Sequence, residues 1–183
     1  MNGQLLACSM TTHVLALGGS LLRPEESEKR VQWFGQLRQL AVHMEGNGRK
    51  LGIVIGGGLP AREGIELAKT MISNSYRLDM VGIAATRLNA TIVQQLLIDV
   101  GCNVCPIIPH STDEAAELFS QHNIVVMGGT TPGHTTDAVS VALARDCGSS
   151  YCVIATNVSH VYDSDPNSNP DAEAIPEISH KDL

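Results

Sequence analysis

Short apolar runs alternate along this chain with longer stretches in which apolar residues recur every three or four positions. "HVLAL" (13–17), "LGIVI" (51–55), "NIVVM" (123–127) and "SYCVIA" (150–155) are continuously apolar rather than alternating, the pattern of strands covered on both faces. "CNVCPII" (102–108) has the same character and is expected to add another strand. Between these runs, Val31, Phe34, Leu37, Leu40, Ala41 and Met44 repeat at helical spacing until "GNG" (46–48). Pro60 suits the first turn of a second helix, whose inner face would carry Ile65, Ala68 and Ile72. Residues 77–99 read as a long helix with Met80, Ile83, Ala84, Leu88 and Leu96 on its apolar side, closed by Gly101. "TDEAAELFSQ" reads as a helix with Thr112 as N-cap, and 137–146 as another; residues from 163 onward read as loop. Strands and helices alternating in this way predict an α/β three-layer sandwich with a mainly parallel central sheet.

Composition narrows the class. The 183 residues suffice for one core, with no internal repeat and no linker, so 1–183 is expected to be a single domain. A net charge of −7 removes the basic stripe that a general nucleic-acid binder needs. Five cysteines, an odd number without a disulfide framework, suit a reducing cytoplasm. Cys102 and Cys105 form C-x-x-C but fall in an expected strand, where they read as buried thiols rather than a redox pair. No apolar run reaches membrane-spanning length, and the N-terminus lacks a signal-peptide pattern.

Candidate chemistry lies where the strands end. "GGS" (18–20), "GGG" (56–58), the long "GGTTPGHTT" (128–136) and "TN" (156–157) each follow a predicted strand. In an open α/β sheet these loops share one edge, where ligands sit. A single Gly-Gly is usually a plain turn; four such loops on one edge describe a site. Glycines let backbone N–H groups approach an anion, and a helix beginning just behind adds its positive end. No Walker A string is present. "GGGLPA" (56–61) fits a dinucleotide G-x-G-x-x-A, with Asp79 at a suitable distance, but Asp79 falls in a predicted helix instead of at a strand end.

The long loop, "VVMGGTTPGHTTDA" (125–138), resembles the UMP-binding loop of archaeal-type uridylate kinases of the amino acid kinase superfamily. "LGGSLL", "IVIGGGLPARE", "LDMVGIAATRLNA" and "ATNVSHVYDSDP" match in the expected order, from about His13 onward. The resemblance implies the amino acid kinase fold, with 12–150 as the mainly UMP-binding core lobe and 151–183 as the start of an ATP lobe whose C-terminal part is missing. It implies transfer of the ATP γ-phosphoryl group to UMP in pyrimidine nucleotide biosynthesis, with Mg²⁺ accompanying ATP, no metal held by protein ligands alone, and a homohexamer. A non-catalytic nucleotide- or oxyanion-binding homologue is the alternative.

Carried across by resemblance, Gly18, Gly19 and Ser20 would lie under the ATP phosphates, and Gly56 and Gly57 between the nucleotides, with Arg62 toward ATP. Asp79 would hold the UMP ribose; Thr130, Thr131, Pro132, Gly133, His134, Thr135 and Thr136 would wrap UMP, the last two through hydroxyls and amides on its phosphate. Asp137 would face the reacting phosphates. Thr156, Asn157, Tyr162 and Asp165 would contact ATP. The chain departs from the family pattern at Ser159-His160, where Asp-Gly is usual, at Leu59-Pro60, where Lys-Leu is usual, and at Ala16, where an acid or lysine is common. The lysines at 29, 50, 69 and 181 all lie outside the glycine loops, which leaves Arg62 and Arg87 as candidate cations.

Overall fold

The computed structural model describes residues 11–23, 27–156, 160–164, 166 and 168–177. Four strands and five helices alternate as the hydrophobic runs require: β1 (Thr12–Leu17), α1 (Ser27–Gly46), β2 (Lys50–Ile55), α2 (Gly58–Lys69), α3 (Ser75–Asp99), α4 (Thr112–Leu118), β3 (Ile124–Met127), α5 (Thr136–Asp146) and β4 (Cys152–Ala155). The strands form one parallel sheet in the order β3-β2-β1-β4. Its register pairs Leu17 with both Ile55 and Ala155, and Val54 with Met127, so every strand delivers its following loop to the same edge.

Because successive side chains leave a strand on opposite faces, the apolar runs feed two cores. On one face Ile53, Ile55, Ile124 and Val126 meet Leu37, Ala41 and Met44 of α1 and Ala90, Val93 and Leu97 of α3. On the other, Val14, Val54, Val125 and Met127 meet Ala115 of α4, Phe119, and Val139 and Leu143 of α5. The result is helix, sheet, helix, the expected three layers. α2 has no fully buried residue and rests on α3.

Five local expectations change. "CNVCPII" is no strand: it makes a single parallel bridge, Val104 to Ile124, and Pro106, which has no N–H, follows at once. Cys102 and Cys105 are nonetheless buried free thiols, and burial raises the Cys102 pKa, helped by Glu45. The cap of α4 is Ser111, whose hydroxyl accepts from Glu114 N, one residue ahead of Thr112. Residue 72 lies beyond the end of α2. The tail is not all loop, since β5 (Val161–Tyr162) and β6 (Ala174–Ile175) pair antiparallel as a small ribbon.

The fifth change concerns α3. Met80 and Leu88 are exposed, whereas Asn89, Ala90, Val93, Gln94 and Leu97 are buried. The inner face is therefore rotated from the one the apolar residues outline, because polar side chains at its N-terminal half have work at the sheet edge. By length and composition alone α3 could cross a bilayer, contrary to the sequence expectation. Its packing against β2 and β3 makes it a core helix of this sandwich.

Candidate functional site

A cleft of about 450 Å³ opens at the carboxyl edge of the sheet, a size suited to a small ligand. Its floor is Gly57 and Gly58, one wall is α3 through Asp79, Gly82, Ile83 and Thr86, and the opposite wall is Gly129 and residues 131–136. Arg62, Ala61 and Ile65 of α2 complete it. The N-termini of α2 and α5 both begin at this cleft, so two sets of unpaired helix amides and two positive dipole ends converge there.

The floor is backbone packed on backbone. Gly56 N donates to Leu17 O at 2.8 Å, and Gly18 N donates to Ala155 O at 3.2 Å, which sets the loops after β1, β2 and β4 side by side. A Cβ on Gly19 would sit 2.2 Å from Gly58 N and 2.6 Å from Gly56 O, so only glycine allows the approach. Thr136 Oγ1 lies close over this floor, 3.1 Å from where a Gly56 Cβ would stand.

The wall loop is mounted on α3. Thr86 Oγ1 accepts from Gly129 N at 2.7 Å while donating to Ile83 O. Asp79 Oδ2 accepts from Gly133 N at 2.9 Å. Between these anchors His134 N donates to Thr131 O, closing a turn in which Gly133 takes φ +83. Thr135 caps α5, its hydroxyl accepting from Ala138 N at 3.1 Å. Its hydroxyl proton stays free to donate outward.

The structure thus gathers Gly57, Arg62, Asp79, Thr131, Pro132, Gly133, His134, Thr135 and Thr136 around one cavity. Gly56 lies just beneath it, bonded to β1. Thr130 is half-buried and does not line the cavity; Asp137 is exposed in the first turn of α5. Gly18, Gly19 and Ser20 form the turn after β1, and Thr156 follows β4 beside it. Tyr162 sits in the β5–β6 ribbon, its ring edge-on to His160. Asn157, Ser159 and Asp165 lie outside the described residues. Arg62, which the resemblance assigns to the ATP side, lines the same cavity as Asp79 and Thr136.

Arg87 has a different position from a cleft cation. Its guanidinium donates to Pro109 O and Ile108 O and meets His110, bracing the segment ahead of α4. Burial pulls its pKa below the ordinary arginine value, with Glu114 opposing. Lys50 is spent on Phe119 O and Lys69 on Glu66.

Sequence reasoning passed over three residues. Thr86 and Asn89 were hidden inside a helix whose polar positions look like a solvent face. Asn89 is fully buried, donates from Nδ2 to Gly56 O at 2.9 Å and Gly57 O at 3.0 Å, and accepts from Arg23 at 3.2 Å. The signal for Asn89 and Thr86 is their spacing: with Asp79 they fall seven and ten residues along, one stripe of a helix. Arg23 carries no such signal.

Comparison with known proteins points the same way. The sequence profile of the amino acid kinase family matches residues 11–183. A uridylate kinase of Methanocaldococcus jannaschii is 39% identical over 170 residues, 93% of this chain and 74% of that protein. The crystal structure of a uridylate kinase from Archaeoglobus fulgidus superposes with a TM-score of 0.71 at 38% identity, covering 90% of this chain and 72% of that one. A UMP kinase from Ureaplasma parvum shares the fold, with a TM-score of 0.72 at 23% identity over 94% of this chain and 77% of that one.

Proposed function

The chain belongs to the amino acid kinase family, and we propose that within it the protein is a nucleoside monophosphate kinase, moving the γ-phosphoryl group of ATP to UMP to give ADP and UDP in pyrimidine nucleotide biosynthesis. One observation carries this reading: hydroxyls, helix-terminal amides and the Arg62 guanidinium meet a carboxylate, Asp79, within a single cleft. A mononucleotide offers the complementary pattern, an anionic head and a ribose with two hydroxyl donors.

In this reading the phosphate of UMP lies against Thr136, Thr135 and Arg62, with its ribose toward the unshared oxygen of Asp79. Residues 12–150 carry this acceptor side, and the turn at Gly18, Gly19 and Ser20 with Thr156, Asn157, Tyr162 and Asp165 carries ATP. An oxygen of the UMP phosphate attacks the γ-phosphorus in line and ADP leaves. The acceptor is already anionic, so no strong general base is needed; positioning and charge neutralisation do the chemistry. Backbone amides of residues 57 and 58 and the starts of α2 and α5 are fixed before substrate arrives, which makes them effective on developing charge.

Among the described residues no three His, Cys, Asp or Glu side chains gather as a metal cage. In this reading a magnesium ion would be carried in on the triphosphate, where it usually keeps water and phosphate ligands. On the same reading Asp137, exposed in the first turn of α5, would orient the ion, which would neutralise charge on the β- and γ-phosphates. The described cysteines are free thiols, which supports a cytoplasmic setting. Exposed apolar side chains along α3, among them Met80, Leu88 and Ile92, support a homo-oligomer, hexameric by resemblance.

A coupled assay of ADP release with UMP, CMP and AMP tests the activity. UMP should be the preferred acceptor; absence of turnover with UMP at high protein concentration would sink the proposal. Arg62→Ala should raise the KM for UMP more than that for ATP.

A further inference from the structure

We propose that Asn89 is a positioning residue for phosphoryl transfer, and that it acts by fixing the direction of two peptide groups in the 56–58 loop, with Arg23 holding Asn89 in place. The inference deepens the kinase reading given above and rests on it.

Asn89 is fully buried, in the middle of α3, and its side-chain amide is spent on three contacts. Nδ2 donates to Gly56 O at 2.9 Å and to Gly57 O at 3.0 Å, and Oδ1 accepts from Arg23 Nη2 at 3.2 Å. In a trans peptide the carbonyl and the following N–H point to opposite sides. Holding the carbonyls of Gly56 and Gly57 toward α3 therefore turns the N–H groups of Gly57 and Gly58 away from it. Gly57 and Gly58 are the floor of the cleft. Without a Cβ these residues reach both signs of φ readily, so the two hydrogen bonds from Asn89 restrict them more than they would another residue type.

Stability alone does not call for an amide at this depth. An apolar side chain of the same size would add to the core formed by the neighbouring Ala90 and Val93. A buried polar group is justified only by the partners it satisfies, and here they are the two carbonyls of the loop. Arg23 supplies the remaining bond from the turn that follows β1, so both nucleotide-facing loops are tied to one side chain.

The test compares three variants of the full chain with wild type, measuring kcat, the KM for UMP and the melting temperature. Asn89→Asp keeps the shape but loses both donated hydrogens. Its carboxylate would repel the two carbonyls it replaces a donor for. It should lose kcat by ~100-fold or more, the scale of a misplaced or missing oxyanion donor, with the KM for UMP changing by less than about threefold. Arg23→Met should lower kcat by roughly three- to tenfold, the scale of one hydrogen bond, with a melting temperature lowered no further than in Val93→Ala. Val93→Ala, one turn further along α3 and in its apolar core, should lower the melting temperature and leave kcat as it was.

Asn89→Asp at wild-type kcat overturns the proposal, as does a loss no larger than that of Val93→Ala. Should Asn89→Asp fail to fold, Arg23→Met decides, and wild-type kcat in that variant overturns it. A wild-type protein that turns over no UMP sinks the kinase reading by itself. The positioning claim is then read on stabilisation by tripolyphosphate, which wild type should show and Arg23→Met and Asn89→Asp should lose. Equal shifts, zero included, overturn it.

Discussion

The 56–58 and 128–136 loops leave adjacent strands at the same sheet edge, and they are held in opposite ways. The first is pinned from beneath: Gly56 is buried and bonded to β1, its carbonyl and that of Gly57 are held by Asn89, and Gly19 is pressed against the loop backbone to backbone. The second touches α3 at Gly128 and through two hydrogen bonds, at Gly129 and Gly133, and its outer residues are exposed. A Cβ at Gly133 would meet nothing within 4 Å. One loop is a fixed plate of amides and the other a clasp hung from a helix. The contrast fits a site in which the reacting phosphates need a rigid field while the substrate needs a way in and out.

Substitutions can break this contrast or sharpen it. The largest effect is expected at Gly19→Ala, because every atom its Cβ would strike is main chain. Turnover should fall by ~100-fold or more and the melting temperature should drop with it. Kinetics beside a thermal melt check this, and a tolerated alanine would mean that the plate is not rigid. Next, Asp79→Ala removes the latch on Gly133 together with the acceptor proposed for ribose. The KM for UMP should rise by roughly tenfold or more, the scale of a hydrogen bond to a charged group, with a smaller change in kcat.

Thr136→Val should weaken UMP by roughly two- to tenfold and ATP less, as one neutral hydrogen bond would. Equal loss for both nucleotides, measured by titration of each, would show that the clasp does not belong to UMP. Gly133→Ala, in open space but at φ +83, should cost only about 1 kcal/mol of stability. A loss as large as that of Gly19→Ala would erase the difference between the loops.

A control far from both loops comes from the other end of β1. His13 Nδ1 is hydrogen-bonded to the Tyr151 hydroxyl, and its Nε2 is buried with no partner among the described residues. Burial, then Arg49, lowers its pKa below the ordinary 6.5. The folded state therefore prefers neutral His13. Stability from this group is complete above the unfolded value and is lost as pH falls from there toward the folded value. Melting temperature should decline as pH falls through the ordinary value of 6.5, and His13→Asn should flatten that decline without altering UMP binding.

Much of this was legible in the chain because strand burial and loop chemistry both leave local marks. Continuously apolar runs announced the sheet and glycines after three of them its working edge, but only the runs of β1, β2 and β3 are largely covered; in β4 Val153 and Ile154 are exposed. The 102–108 run misled because its apolar character is real, Cys102, Val104 and Cys105 being buried, while the ladder it would need is interrupted by Pro106. The face of α3 misled for the opposite reason. Asp79, Thr86 and Asn89 are polar for the sake of loops that arrive from elsewhere in the sequence, and helical periodicity counts such residues as solvent-facing. Arg62 was visible as a cation, but which side of the cleft it serves depends on how α2 rests on α3.

The strand order β3-β2-β1-β4 gives the molecule a particular history during synthesis. β1 becomes an inner strand, yet its partner β4 emerges from the ribosome only after β2, β3 and five helices. His13 and Tyr151, which touch across that seam, are 138 residues apart. Until β4 arrives, one flank of β1 has main-chain groups without their final partners, and closing so long a loop is slow. Nascent chains of this protein should depend on chaperones until β4 has docked on β1.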